Sequence, residues 1–355
     1  MIDIPDKPIL LLDEKRCRNN IKRMADKAKA AGCEFRPHFK THQSATIGEW
    51  FREHEIKGIT VSSISMAEYF CNNGWDDITI AFPFYLSQIN ALKVLNQKCS
   101  LRLFVNSVRD VKLLSENLSN DFRVYIELDT GYTRSGIPQN NNDLITSIIN
   151  ACSEISHVHF HGFYVHHGGT YQAKGIEEIK RIIAPTLSVY QEMRQVFPDA
   201  KFSLGDTPSA SVLSDFDNVD ELSPGNFVFY DWMQTQIGSC TLNDVALFVL
   251  LPIAQVLKVQ NQAILHGGAV HLSKDFIENE CGRNYGQVVR YTRENVISEP
   301  AYITSLSQEH GILNATPDNK QDYVIICPVH SCLTANLHSF YLTADGKKIE
   351  KKVLS

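Results

Sequence analysis

From about residue 8 to about residue 230, short β-branched runs alternate with longer stretches whose apolar residues recur at helical spacing. This alternation constrains the fold more than any other feature, because parallel neighbouring strands need a long, usually helical, crossover between them. Strands are predicted at Ile9-Leu12, Phe35-Phe39, Gly58-Ser63, Ile78-Phe82, Leu101-Val105, Arg123-Leu128, Val158-Val165, Lys201-Leu204 and near Glu221. Cys17-Ala30, Ala67-Asn73 and Ile176-Val196 have helix-like spacing. With the first strand assigned elsewhere, about eight βα strands remain, the number that closes a (β/α)8 barrel of the triosephosphate isomerase type.

From about residue 237 the pattern changes to clustered strands without intervening helices: Leu247-Val259, Ala263-Leu272, Gln287-Tyr291, Ala301-Ser307, Asp322-Ile326 and Phe340-Leu342. Gly267-Gly268 and Asp345-Gly346 supply turns. The expected fold class is therefore α/β, with a barrel over residues 8–236 and a second, all-β domain over 237–355, to which residues 1–12 are candidates to belong. No low-complexity or Pro/Ser-rich linker separates the two.

Composition narrows the function. With 43% hydrophobic and 21% charged residues in 355, the chain can bury a sizeable core. A net charge of -6 and the absence of a Lys/Arg block give no electrostatic case for nucleic acid, so a small-molecule substrate is expected. The start, Met1-Ile2-Asp3-Ile4-Pro5-Asp6, lacks the basic and apolar regions of a signal peptide. The most apolar stretch, Val245-Leu257, is interrupted by Pro252 and Gln255 and is too short to span a bilayer. The expectation is a cytoplasmic protein whose nine cysteines are reduced thiols.

Chemistry is concentrated at predicted strand ends. Lys40 closes the run Arg36-Pro37-His38-Phe39-Lys40-Thr41-His42. An amine on a strand end among cationic and imidazole groups is suited to Schiff-base formation with an aldehyde cofactor. In such a barrel the active site lies at the C-terminal strand ends, with a phosphate site frequent after strands 7 and 8. The corresponding loops here are Gly205-Asp206-Thr207-Pro208-Ser209-Ala210-Ser211 and Ser223-Pro224-Gly225-Asn226. The first is expected to turn free backbone N–H groups toward an anion, and the glycine of the second permits close backbone approach. A lysine and a phosphate cradle at one mouth imply pyridoxal 5'-phosphate.

Tyr164 and His166, two positions apart on the sixth strand, share a face and end at the same mouth, with Tyr171 beyond them. Arg134, in Asp129-Thr130-Gly131-Tyr132-Thr133-Arg134-Ser135-Gly136, is placed to bind a substrate carboxylate, to tune the cofactor or to form a surface ion pair with Asp129. His330 and Cys332, read as an extended segment after an apolar strand, would point the same way, a geometry that suits zinc with positions left open.

Together these segments resemble the D-serine dehydratase and D-threonine aldolase family, related in fold to alanine racemases, over nearly the whole chain. The resemblance rests on the Lys40 segment, the Asp129-Gly136 loop, Tyr164, Tyr171, Thr207-Pro208, Pro224-Gly225-Asn226 and His330-Ser331-Cys332. It implies that Lys40 carries pyridoxal 5'-phosphate, that Tyr164, Tyr171, Thr207, Gly225 and Asn226 contact the cofactor, and that His330 and Cys332 hold zinc. His38 and Ser209 complete the expected cofactor contacts, and Arg134 and His166 join Lys40 as expected catalytic groups. Aldolase relatives tend to carry an acidic residue where Cys332 stands, so the expected reaction is dehydration of a D-β-hydroxy amino acid such as D-serine. Retro-aldol cleavage, racemisation and non-catalytic cofactor carriage follow in that order. The resemblance also implies a homodimer.

Overall fold

The computed structural model describes residues 6–280, 282–318 and 321–352. The chain divides into two units, Arg23–Gly225 and a second composed of the residues through Lys22 together with those from Asn226 onward.

Eight parallel strands make the barrel path of the first unit: β1 Glu34–Phe35, β2 Ile59–Val61, β3 Asp77–Pro83, β4 Ser100–Phe104, β5 Phe122–Asp129, β6 Val158–Val165, β7 Lys201–Leu204 and β8 Glu221–Leu222, with the two-residue strand Ile137–Pro138 paired to β5 off this path. The hydrogen-bonded order runs from β2 through β3, β4, β5, β6, β7 and β8 to β1. A parallel bridge between His38 and Thr60 then joins the β1 extension to β2 and closes the barrel. Beyond Phe35 the pairing continues through irregular backbone, with Arg36 N donating to Leu222 O, His38 N to Pro224 O and Phe39 N to Thr60 O. Pro37, which has no N–H, stands in the middle of this stretch. The run leading to Lys40 is thus laced to both neighbours without forming the regular five-residue strand expected.

Helices alternate with the strands because the sequence marks their starts. Ser44, Ser63, Ser107 and Asn141 are N-caps whose side chains accept from Ile47 N, Met66 N, Asp110 N and Leu144 N. The strands bury Ile78, Ile80, Leu101, Leu103, Val124, Ile126, Phe163, Phe202 and Leu204.

The barrel interior carries two polar devices. Arg36 and Arg102 share the buried Glu221, at 3.2 Å and 2.8 Å, and both also pair with Asp77. Nearer the C-terminal strand ends, Phe104, Tyr125 and Tyr164 pack as an aromatic cluster. In β6 the pairing to β5 slips between Val124 and Tyr125, so that Phe160 opposes the one and Gly162 the other. Gly162 has φ +157°, and a Cβ there would lie 1.9 Å from Lys201 O. This bulge lets His161 bond Arg102 while Tyr164, three residues on, packs against Tyr125, two placements that a regular strand would send to opposite faces.

In the second unit, β9 Leu247–Leu257, β10 Gln262–His266, β11 Gly286–Tyr291, β12 Val296–Leu306, β13 His310–Leu313 and β14 Tyr323–Pro328 form an antiparallel sheet closed by pairing of β9 with β10. Ile9–Leu12 pairs antiparallel with β9 and parallel with β15, Phe340–Thr343. The first predicted strand therefore does lie outside the barrel sheet.

Three local expectations are corrected. The strand predicted over Ala263-Leu272 ends at His266, and Ala269–Leu272 is helical. Gly267 and Gly268 make the break, since a Cβ on Gly268 would lie 2.3 Å from Gln308 O. His310–Leu313 is a strand that the pattern reading omits, its polar and glycine start masking the short apolar end. The residues after His330 are helical over Ser331–Asn336 rather than extended. The cysteines among the described residues form no disulfide, and no helix among these residues is long and apolar enough to cross a membrane.

Candidate active site

A cavity of about 510 Å³ opens in the barrel unit and is lined by His38, Lys40, Ser62, Ala81, Phe82, Pro83, Phe104, Glu127, Arg134, Ser135, Tyr164 and His166. Its size lies within the range for cofactor and small-ligand sites. Five residues singled out from the sequence, His38, Lys40, Arg134, Tyr164 and His166, thus line one cavity. They come from the ends of β1, β5 and β6 and the loops that follow.

The two imidazoles are uncharged there. Burial, then the Lys40 and Arg134 cations, push His166 down to about 3. Burial, Lys40, His166 and Arg134 hold His38 well below the usual histidine range. Protonating either ring would bury another cation beside Lys40 and Arg134. His166 Nδ1 lies 3.1 Å from Gly205 O; a carbonyl only accepts, so Nδ1 carries the proton and Nε2 keeps its lone pair. Lys40 N–H reaches His38 Nδ1 at 3.4 Å, which places the proton of that ring on Nε2.

Arg134 pairs with Glu127, Nη2 to Oε1 3.6 Å, and not with Asp129. Asp129 Oδ1 instead accepts from Gly131 N and Thr133 N, both at 2.9 Å, and so shapes the loop. Burial raises the Glu127 carboxyl above its ordinary range, against hydrogen bonds from Ser135 and Arg134. Sequence reasoning missed Glu127; the available signal was its spacing of two from Tyr125 within the same strand, which turns both toward the interior.

The loops after β6, β7 and β8 supply the remaining candidates. Tyr171 OH accepts from Thr207 N at 3.2 Å, and the buried Asp206 caps the short helix Thr207–Val212 by accepting from Ser209 N at 2.8 Å. With proline at 208, the first N–H groups of this helix are therefore engaged, contrary to the expectation of free donors. An anion there would compete with Tyr171. At Gly225 a Cβ would lie 3.0 Å from His38 O and from Thr41 Oγ1, a tight contact, so glycine lets the β8 loop approach the Lys40 segment closely. At Gly205 a Cβ would lie 2.2 Å from Tyr164 OH. These glycines let the β7 and β8 loops lie close to Tyr164 and to the Lys40 segment, and a lysine set in the cavity lining fits an aldehyde cofactor.

The second unit carries the metal candidates. His330 Nδ1 lies 2.8 Å from Asp275 Oδ2, and the Cys332 thiol hydrogen-bonds the same imidazole. Burial alone would lower the His330 pKa, but Asp275 and Cys332 outweigh it and push it up to about 10. A carboxylate on one ring nitrogen with a thiol beside the ring is the arrangement of a metal-ligating histidine. The helical turn, not an extended strand, brings the pair together. Asn226 lies in this unit, its Nδ2 donating to Asp231 Oδ2 at 2.6 Å, Ser331 Oγ at 3.2 Å and Cys332 Sγ at 3.6 Å. Asp231 also accepts from Ser331 N at 2.9 Å. The Asn226 side chain is thus committed to the Cys332 segment. The donor set of soft thiol and anchored imidazole fits zinc.

Comparison with known proteins agrees with this architecture. Residues 12–231 match the family model described as "Alanine racemase, N-terminal domain", and residues 246–344 match the "Putative serine dehydratase domain". D-threo-3-hydroxyaspartate dehydratase from Delftia sp. (strain HT23) is 30% identical over 367 residues, covering 96% of this chain and 95% of the relative. D-serine dehydratase from Dictyostelium discoideum is 27% identical over 370 residues, covering 94% and 92%. A solved cysteine-to-alanine mutant of D-threo-3-hydroxyaspartate dehydratase, in the metal-free form, superposes with a TM-score of 0.88 at 28% identity, over 99% of this chain and 98% of the other. The chain belongs to the alanine racemase N-terminal domain family, in the group whose members carry a serine dehydratase domain after the barrel.

Proposed function

We propose that this chain is a pyridoxal 5'-phosphate- and zinc-dependent lyase that eliminates water from D-β-hydroxy amino acids, with D-serine or D-threo-3-hydroxyaspartate as substrate, releasing an oxoacid and ammonia. The observation that carries the reading is the cavity in which Lys40 stands with His38, Arg134, Tyr164 and His166. When bound, the cofactor supplies the electron sink for loss of the α-proton, and zinc on His330 and Cys332 supplies a Lewis acid for a hydroxyl that leaves poorly unaided.

The chain's own groups do the rest. Lys40 Nζ would hold the cofactor and, once the substrate amine has displaced it there, take the α-proton as a free amine. Arg134, steadied by Glu127, offers its remaining N–H groups to the substrate carboxylate. Neutral His166 accepts a hydrogen bond at Nε2 without adding charge. In the barrel unit the cofactor contacts are His38, Tyr164, Tyr171, Thr207, Ser209 and Gly225, with the Thr207 N–H passing from Tyr171 to the cofactor, while the Asn226 side chain stays with Asp231 and Cys332. Cys332, where aldolases of this kind tend toward an acid, favours elimination over retro-aldol cleavage. We also propose a cytoplasmic homodimer, which sedimentation of the holoenzyme tests.

The experiment is ammonia and oxoacid release from D-serine, D-threonine and D-threo-3-hydroxyaspartate, with and without a chelator. Ammonia release that stops on chelation and returns with zinc supports the proposal. Glycine with an aldehyde and no ammonia would move the reaction to the aldolase, and full activity in metal-free protein would remove the metal's role.

A further inference from the structure

Away from His330 and Cys332, the second unit gathers another donor set. His266 ends β10, His271 lies on the helix Ala269–Leu272, and Glu309 lies in the turn between β12 and β13. One ligand atom from each of the three falls within 4.8 Å of the others. The imidazole rings stand 5.7 Å apart and nearly perpendicular, and His271 Nε2 lies 3.8 Å from Glu309 Oε2.

The backbone holds these groups in place. Gly267 N donates to Glu309 O at 2.8 Å, Ala269 N to Ser307 O at 2.8 Å and Val270 N to Gln308 O at 3.3 Å. This lacing needs Gly268, whose Cβ would collide with Gln308 O. The carbonyl of His271 is engaged by His338 Nε2 at 3.0 Å. The two segments bearing the donors are therefore fixed to each other before any ligand arrives.

We propose that His266, His271 and Glu309 form a second divalent-cation site, separate from His330 and Cys332, that takes zinc or a cation of similar preference such as cobalt(II). Two imidazoles and one carboxylate suit these borderline ions and are hard to reconcile with magnesium or calcium, which prefer oxygen donors. Bond lengths of about 2.0–2.2 Å to such an ion require the donors to close in from their present spacing. Rotation of the exposed Glu309 and of the half-buried histidines provides that closure. His271 Nδ1 now accepts from Gly268 N at a long 3.3 Å; binding through Nε2 moves the ring proton to Nδ1 at the loss of that contact.

The test is the zinc content of full-length holoenzyme after equilibration with excess zinc and desalting, with cobalt(II) titration as the optical readout. Wild type is expected to hold two equivalents per chain, and Glu309→Gln, a change on an exposed turn, one, with ammonia release unaltered. In the His330→Ala/Cys332→Ala background one equivalent should remain, raise the melting temperature, and weaken at least about tenfold when His271→Ala or Glu309→Gln is added, the range by which loss of a group at a metal site commonly lowers affinity. A single equivalent in wild type that disappears with Cys332→Ala, or a second equivalent that persists in both Glu309→Gln and His271→Ala, would overturn the site. Either result leaves the lyase reading to its own assay.

Discussion

His330 Nδ1 and Asp275 Oδ2 stand 2.8 Å apart, with the Cys332 thiol on the same imidazole. The carboxylate fixes the ring and its tautomer, which leaves Nε2 for the metal. Asp275→Asn keeps the shape and removes the charge. It is expected to lower zinc affinity about 10- to 100-fold, the usual effect of losing such an outer partner. A competition titration against a chromogenic chelator measures this, and the cofactor absorbance should be unchanged.

The same contacts give a pH dependence. His330 in the metal-free protein is pushed up to about 10 by Asp275 and Cys332, against burial. Its proton must leave before zinc binds, so apparent affinity rises with pH and falls as the solution is acidified. Between pH 6 and 8 the account expects roughly a tenfold gain in affinity per pH unit for each proton released. Calorimetry in buffers of different ionisation enthalpy counts those protons; an affinity flat across this window contradicts the prediction.

His166 provides an acid-stability signature in the barrel unit. Its folded pKa lies near 3, below that of an unfolded histidine near 6.5. The unfolded chain therefore binds the extra proton first, and stability is lost as pH falls below about 6.5, continuing toward 3. The slope is about 1.4 kcal/mol per pH unit for one group. Urea denaturation of cofactor-free protein should show a smaller loss between pH 6.5 and 4.5 for His166→Gln than for wild type.

How much of this was legible in the sequence depended on how local its cause is. The barrel strands and the shared face of Tyr164 and His166 follow from periodicity, Lys40 from its place among cationic and imidazole groups at a strand end, and five of the candidate residues line one cavity. Glu127, Asp231 and Asp275 were not read, because each gains its importance from partners brought near by folding: Arg134, Ser331 and His330. The helical turn at Ser331–Asn336 has too few residues to show a period. The free amides expected before Ser211 failed for a related reason, since Tyr171, on a different loop, claims the Thr207 N–H.

Gly205 and Tyr164 make a steric prediction. A Cβ at 205 would sit 2.2 Å from the tyrosine oxygen, so Gly205→Ala must displace a buried ring. Overpacking of this kind costs about 1–3 kcal/mol. Melting temperature and cofactor affinity should both fall, and Tyr164→Phe in the same chain should restore part of the stability.

The buried Glu221 is expected to matter for folding alone. Removing it takes the fully buried carboxylate out of the cluster and leaves Arg36 and Arg102 only the partly exposed Asp77 and Glu34. Loss of one partner from a buried ion cluster costs about 3–5 kcal/mol. Glu221→Ala should lower the urea midpoint strongly, and whatever protein folds should keep its cofactor spectrum.

The most direct test of the account is the absorbance of the purified protein reconstituted with pyridoxal 5'-phosphate, taken on wild type and on Lys40→Ala, with ammonia release from D-serine followed on the same samples. The account predicts a cofactor band near the visible edge that is present in wild type and lost in Lys40→Ala, together with ammonia release in wild type only. No band in wild type after added cofactor, or an unchanged band and undiminished ammonia release in Lys40→Ala, would contradict it.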